Sequence, residues 1–218
     1  MTERKKAKWD LGTLLAMIAL TISAGLFAVA WNVHRRAEET AIVRFGGKKI
    51  GDFDKLRTRF GQVKGQFLVV EFGDYSCPFC RKMQAELDDF FSQHRDVGYE
   101  FRNLPLTGIH PLAFDAALLA EYSHGTNASD HGPVRSLIEE NLTAQDLLAT
   151  AAIQNTDSET HSVNSRKESY LRVVNDLLLA QRLGLTGTPT FVVILKNGDG
   201  YALDGNQLVE FLSWKYYS

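Results

Sequence analysis

Between Leu11 and Val33 the chain runs for 23 residues without a charged side chain. At about 1.5 Å per residue a helix of that length reaches roughly 34 Å, enough to cross a hydrocarbon core of about 30 Å with some tilt. Trp9 and Trp31 stand near its two ends, where interface aromatics collect. Arg4, Lys5, Lys6 and Lys8 precede the run, while only Arg35 and Arg36, with His34, follow it closely. Positive charge stays on the cytoplasmic side. Residues 1–10 are therefore expected in the cytoplasm, 11–33 in the inner membrane as a single-pass signal anchor, and everything after a charged linker at 34–40 on the periplasmic side. Ala28-Val29-Ala30 offers an alternative, cleavage by a signal peptidase before Trp31 and release into the periplasm. The apolar run is longer than the roughly 7–15 residues of an ordinary secretory signal, which favours the anchor. Both readings export the rest of the chain.

That rest has the make-up of a globular domain. The whole sequence is 44% hydrophobic and 23% charged, which supports a buried core. A net charge of −2, with no long basic stripe beyond the first eight residues, argues against nucleic acid as a partner. Residues 41–218 read as one domain with no internal repeat. Phe67 to Phe72 and Thr190 to Leu195 are short apolar runs rich in β-branched residues, as buried strands are, and Val97 to Arg102 and Gly200 to Leu203 alternate more weakly beside them. Met83, Leu87, Phe90 and Phe91 recur at helical spacing. From about 111 to 183 the pattern is helical without a strand, including Leu137 to Leu148 and the series Tyr170, Val173, Val174, Leu177 and Leu178, with a loop at His124 to Pro133. Gly198-Asp199-Gly200 marks a tight turn, and Leu208 to Trp214 a final helix.

Both cysteines of the chain lie in one tetrapeptide, Cys77-Pro78-Phe79-Cys80. The strand ending near Phe72 and the helix starting near Pro78 put Cys77 at a helix N-terminus, where unpaired N–H groups and the helix dipole favour a thiolate. Cys80 falls one turn on, and Pro78 suits a first turn that needs no N–H from it. A Cys-x-x-Cys pair is also half of many zinc sites, but no second pair exists and the histidines of the domain show no matching ligand spacing. A structural disulfide closing so short a loop gains little. Redox exchange is the leading reading, with a zinc site and a structural disulfide as minor alternatives.

The stretches "VVEFGDYSCPFC", "NLPL…HP…AA" and "GLTGTPTFVV", with the terminal hairpin and helix, resemble the DsbA-like thioredoxin-fold thiol-disulfide oxidoreductases over most of Phe67 to Trp214. The resemblance implies an α/β protein, a thioredoxin fold with an inserted helical domain, here preceded by one transmembrane helix. It implies Cys77 as nucleophile, Cys80 as resolving thiol and Glu71 as a buried acid that moves the resolving thiol's proton, unless Glu71 is simply an edge or surface residue. Pro189 is implied to be a cis-proline, and Thr188 to offer its backbone to an extended client as an added strand. Pro78 and Phe79 complete the client-facing set, Phe79 as the exposed variable residue. No cofactor beyond the cysteine pair and no metal is implied. The partners would be extended or unfolded exported proteins and a membrane redox protein that resets the pair. Disulfide donation is the leading activity, with isomerase or reductase activity, and a non-redox binding or chaperone-like module, as alternatives. The family's strongest oxidants carry His where Phe79 stands and usually Val where Thr188 stands, which leaves the direction of electron flow open. His110, before Pro111, reads as a turn or capping residue.

Overall fold

A computed structural model describes residues 10–52, 65–124 and 159–217. The chain divides into two compact units, the second beginning at Phe45. The first is built on helix α1 (Leu11–Arg44), whose apolar side chains Leu11, Leu20, Leu26 and Phe27 are exposed. Among the described residues it is the one helix long and apolar enough to cross a membrane. The 34–40 stretch read as a linker is helical. Pairs one turn apart, His34 with Glu38 at 3.4 Å and Arg35 with Glu39 at 3.8 Å, let the helix continue past the end of its apolar run.

In the second unit five strands form one sheet: β1 (Lys48–Asp52), β2 (Phe67–Gly73), β3 (Gly98–Asn103), β4 (Thr190–Leu195) and β5 (Asp199–Leu203). Their spatial order is β1-β5-β4-β2-β3, with β2 and β3 parallel and all other pairs antiparallel. Helix α2 (Pro78–Gln93) links β2 to β3, α3 (Ala113–His124) and α4 (Glu159–Leu183) lie between β3 and β4, and α5 (Gly205–Tyr217) ends the fold. The expected helix at 137–148 lies outside the described residues, as does the 124–133 loop apart from His124, which is the last residue of α3.

Period-two alternation sorts β2 onto two faces. Leu68, Val70 and Phe72 join Val192, Ile194, Leu104, Leu179 and Ala180, so α4 covers that face. Phe67, Val69 and Glu71 point the other way, where Phe67 meets Phe211 of α5 with ring centroids 5.5 Å apart. Strand β1 escaped the sequence reading. Its sequence, Lys-Lys-Ile-Gly-Asp, is polar, and its partner register slips between Lys49 and Gly51. It is an edge strand held by β5, with Lys49 2.7 Å from Asp199. The β4–β5 turn uses Gly198 at φ +91°, a conformation that favours glycine.

Helices α3 and α4 pack through small residues, Ala116, Ala117 and Ala120 against Val173, and through Phe101 and Tyr75. A polar tie joins them to β3. Asp176 accepts from Arg102 Nη1 at 3.2 Å and from the Asn103 backbone N–H at 3.0 Å, while Glu121 accepts from Asn103 Nδ2 at 2.8 Å and from Arg172 Nε at 2.6 Å. Burial raises the Asp176 carboxyl above its ordinary value, with Arg102 opposing.

Candidate active site

Strand β2 delivers the chain to the cysteines through a turn that has little room to vary. A Cβ on Gly73 would lie 2.4 Å from Phe101 Cε2 and 2.9 Å from Glu71 Oε1, so glycine lets β2 approach β3 at its exit. Asp74 then closes the turn. Its carbonyl accepts the Cys77 N–H at 3.0 Å, and its carboxylate accepts the Ser76 N–H at 2.8 Å. This local capture of backbone donors is the usual property of aspartate in turns.

Cys77 is the N-cap of α2, with extended backbone angles (φ −78°, ψ 120°) and no side-chain capping bond, and Pro78 occupies the first turn. The Cys77 sulfur is thereby left to other partners. Its thiol reaches the Thr188 carbonyl at 3.5 Å, across 111 residues of sequence. The Thr188–Pro189 peptide bond is cis. The approach of this loop is prepared by the end of α4, where Gly184 at φ +69° and a Leu185 N–H to Ala180 carbonyl bond of 2.9 Å terminate the helix.

Cys77 and Cys80 are both free thiols and both buried. The pair is screened unevenly by its own motif, because Pro78 is exposed and Phe79 is 69% exposed. Burial pushes the Cys80 thiol up, and the charges of Glu71 and Cys77 push it the same way; the Asp74 N–H, 3.5 Å from its sulfur, opposes them. Cys80 is thus held as a protonated thiol at neutral pH.

Glu71 has no solvent exposure and lies between Phe101 on β3 and Phe191 on β4, which removes the surface or edge reading. Tyr99 Oη donates to Glu71 Oε2 at 2.5 Å and also approaches Gln84 Oε1 at 3.3 Å. The Thr188 hydroxyl is buried and makes no hydrogen bond among the described residues. An open apolar depression of about 510 Å³ borders this loop, lined by Leu104, Val174, Leu177, Leu178 and the 184–186 segment.

Cys77, Cys80, Glu71, Thr188 and Pro189 therefore converge at one end of the sheet. Two residues of this region were not singled out for it by sequence reasoning. Asp74 is buried beneath the motif, and His110 sends Nδ1 to within 2.8 Å of its Oδ2. His110 does make a turn, its N–H bonding the Leu106 carbonyl at 2.9 Å, but its side chain faces the redox loop. The available signal was an acid three residues before the first cysteine.

Comparison with known proteins bears on the fold that carries these residues. The family model described as a thioredoxin-like domain matches residues 61–213. Among solved structures, BcfH of Salmonella enterica Typhimurium superposes with a TM-score of 0.54 at 18% identity, covering 93% of each chain. DsbA2 of Pseudomonas aeruginosa gives 0.51 at 21% identity, over 70% of this chain and 90% of that one. At these identities the likeness is one of fold. Among curated proteins, the Na(+)/H(+) antiporters NhaA 1 of Salinispora arenicola and of Mycolicibacterium gilvum are each 30% identical, over 91% and 80% of this chain. The chain spans less than a third of the length of those relatives, 31% and 29%.

Proposed function

We propose, for a chain that belongs to the thioredoxin-like domain family and has a DsbA-like fold, thiol-disulfide exchange through Cys77 and Cys80, with donation of disulfides to exported proteins. The observation that carries this reading is the Cys77 thiol at a helix N-cap, 3.5 Å from the carbonyl of the residue before a cis-proline, with the protonated Cys80 one turn behind it.

In the donating direction a client thiolate attacks the Cys77 sulfur of the oxidised pair. A client–Cys77 bond forms, the Cys77–Cys80 bond breaks, and Cys80 leaves as a thiolate that takes up a proton. The client's second thiolate then attacks its own sulfur in the mixed disulfide, forming the client disulfide and releasing Cys77. Two electrons pass from client to protein. Glu71, whose charge acts on Cys80, is the group assigned to move that proton. Thr188 and Pro189 present backbone to an extended client, with the exposed Pro78 and Phe79 completing the client-facing set and the apolar depression taking client side chains.

Helix α1 serves in this reading as the membrane anchor, with the second unit on the periplasmic side and a membrane redox protein reoxidising the pair. The antiporter name belongs to the whole of much longer proteins, and cation transport is not assigned to this chain.

The test uses single cysteine variants. Cys77→Ser should abolish exchange with a reduced client, whereas Cys80→Ser should accumulate mixed disulfides on Cys77. A wild-type protein that neither oxidises a reduced client nor reduces insulin would overturn the reading in favour of a binding module. Equilibration with glutathione then reads the direction: disulfide donors lie near about −120 mV and reductants near about −270 mV. Thr188, which stands where the strongest oxidants of the family usually have Val, favours reductase or isomerase activity as the second reading.

A further inference from the structure

The Asp74 carboxylate has more partners than its turn needs. One N–H, that of Ser76, suffices for such a turn, and it binds Oδ1 at 2.8 Å. Oδ2 takes two further donors from a separate part of the chain, the Leu106 N–H at 3.0 Å and His110 Nδ1 at 2.8 Å. The Asp74 side chain is fully buried and that of His110 is 21% exposed. The backbone on either side of the same residue holds both cysteines, its carbonyl accepting the Cys77 N–H and its N–H donating to the Cys80 sulfur. Of the two sulfurs only that of Cys80 is touched by Asp74, because the carbonyl meets the Cys77 backbone and the Cys77 sulfur faces the Thr188 carbonyl instead; a displacement of Asp74 is therefore felt first at Cys80.

The Cys80 sulfur carries negative charge in the step that makes or breaks the Cys77–Cys80 bond, whichever way electrons flow. Burial and the nearby Glu71 charge make that thiolate costly, and a fixed backbone N–H is the described group that opposes them. We propose that the Asp74–His110 pair is a positioning unit of the redox centre, holding the Asp74 N–H against the Cys80 sulfur for the moment at which that sulfur is charged. The inference rests on the exchange reading given above. His110 touches neither sulfur in this role; it acts through Asp74.

The experiment separates attack at Cys77 from resolution by Cys80. Reduced full-length protein in detergent is mixed with oxidised glutathione, quenched in acid at intervals, and the glutathione adduct on Cys77 is followed by mass spectrometry. Its decay reports formation of the Cys77–Cys80 bond, with one glutathione leaving and the Cys80 proton lost. His110→Leu, which keeps bulk but no donor, should slow that decay by at least about tenfold, since small displacements of reacting groups have effects of this size or more. The rate at which Cys77 reacts with iodoacetamide should be unchanged. His110→Asn, which keeps an amide N–H near the Nδ1 position, should restore the decay. Asp74→Asn, which retains shape but turns a donor group toward other donors, should show the same split and serves if His110→Leu does not fold. Wild-type decay in a folded His110→Leu, an equal loss at both steps, or no rescue by asparagine would overturn the positioning role while leaving exchange intact. Failure of the wild type to form any adduct would overturn the exchange reading, and the positioning role with it.

Discussion

Glu71→Leu should stabilise the protein and slow it at once. Glu71 has no solvent exposure, and holding an ion at such a place costs several kcal/mol. The Tyr99 hydroxyl, 2.5 Å from Oε2, offsets part of this, since a hydrogen bond to a charged group contributes about 1.5–3 kcal/mol. That burial cost less the Tyr99 bond leaves an expected gain of about 1–2 kcal/mol, and Gln84 Oε1 at 3.3 Å gives the freed hydroxyl a second position. For a domain of this size each kcal/mol moves Tm by about 2–4 °C, so Tm should rise by about 2–8 °C. Exchange should fall by about 100-fold if Glu71 moves the Cys80 proton, the lower end of what a general acid–base group supplies. Thermal unfolding of the reduced protein by circular dichroism and client oxidation under excess oxidant are the two assays. Glu71→Gln, which keeps the shape and a hydrogen bond to Tyr99 but accepts no proton, should be as slow as Glu71→Leu with a smaller gain in Tm. A Glu71→Leu protein that melts below the wild type, or turns over at its rate, would refute the reasoning.

Thr188→Val removes a buried hydroxyl that makes no hydrogen bond among the described residues, and should raise stability by about 1 kcal/mol, seen as a Tm increase of about 2–4 °C. The Asp176 and Glu100 carboxyls are both raised by burial, against Arg102, above ordinary values of 3.8 and 4.5. Groups raised on folding contribute stability that is fully present below those ordinary values and is lost as pH rises through the folded ones. The stability of the wild type relative to Asp176→Asn should therefore be greatest below pH 3.8, and relative to Glu100→Gln below pH 4.5, and shrink toward pH 7; denaturation midpoints across that range check the sign. A reporter active only in the cytoplasm, fused after Ser218, should be silent, and full activity would refute the periplasmic placement.

Several features were already determined by the order of residues along the chain. The uncharged run from Leu11 to Val33 dictates one long apolar helix, because its composition leaves no polar face, although that helix runs on through residues 34–40. The β-branched runs of β2 and β4 form buried strands for a similarly local reason, and Pro78 after Cys77 marks a helix start by its missing N–H. Strand β1 could not be read this way, since Lys48–Asp52 has no apolar pattern and is extended because the β5 edge supplies its hydrogen bonds. The tertiary structure alone decided what surrounds the sulfurs. Thr188 meets Cys77 because the antiparallel pairing of β4 with β2 brings the start of one strand to the end of the other, joining residues 111 apart in sequence. Glu71 is buried because β3 and β4 flank it on both sides. His110 reads as a turn residue from its neighbour Pro111, and it is one; its second partner, Asp74, is 36 residues away, and no local propensity encodes a contact that exists only once two loops are folded side by side.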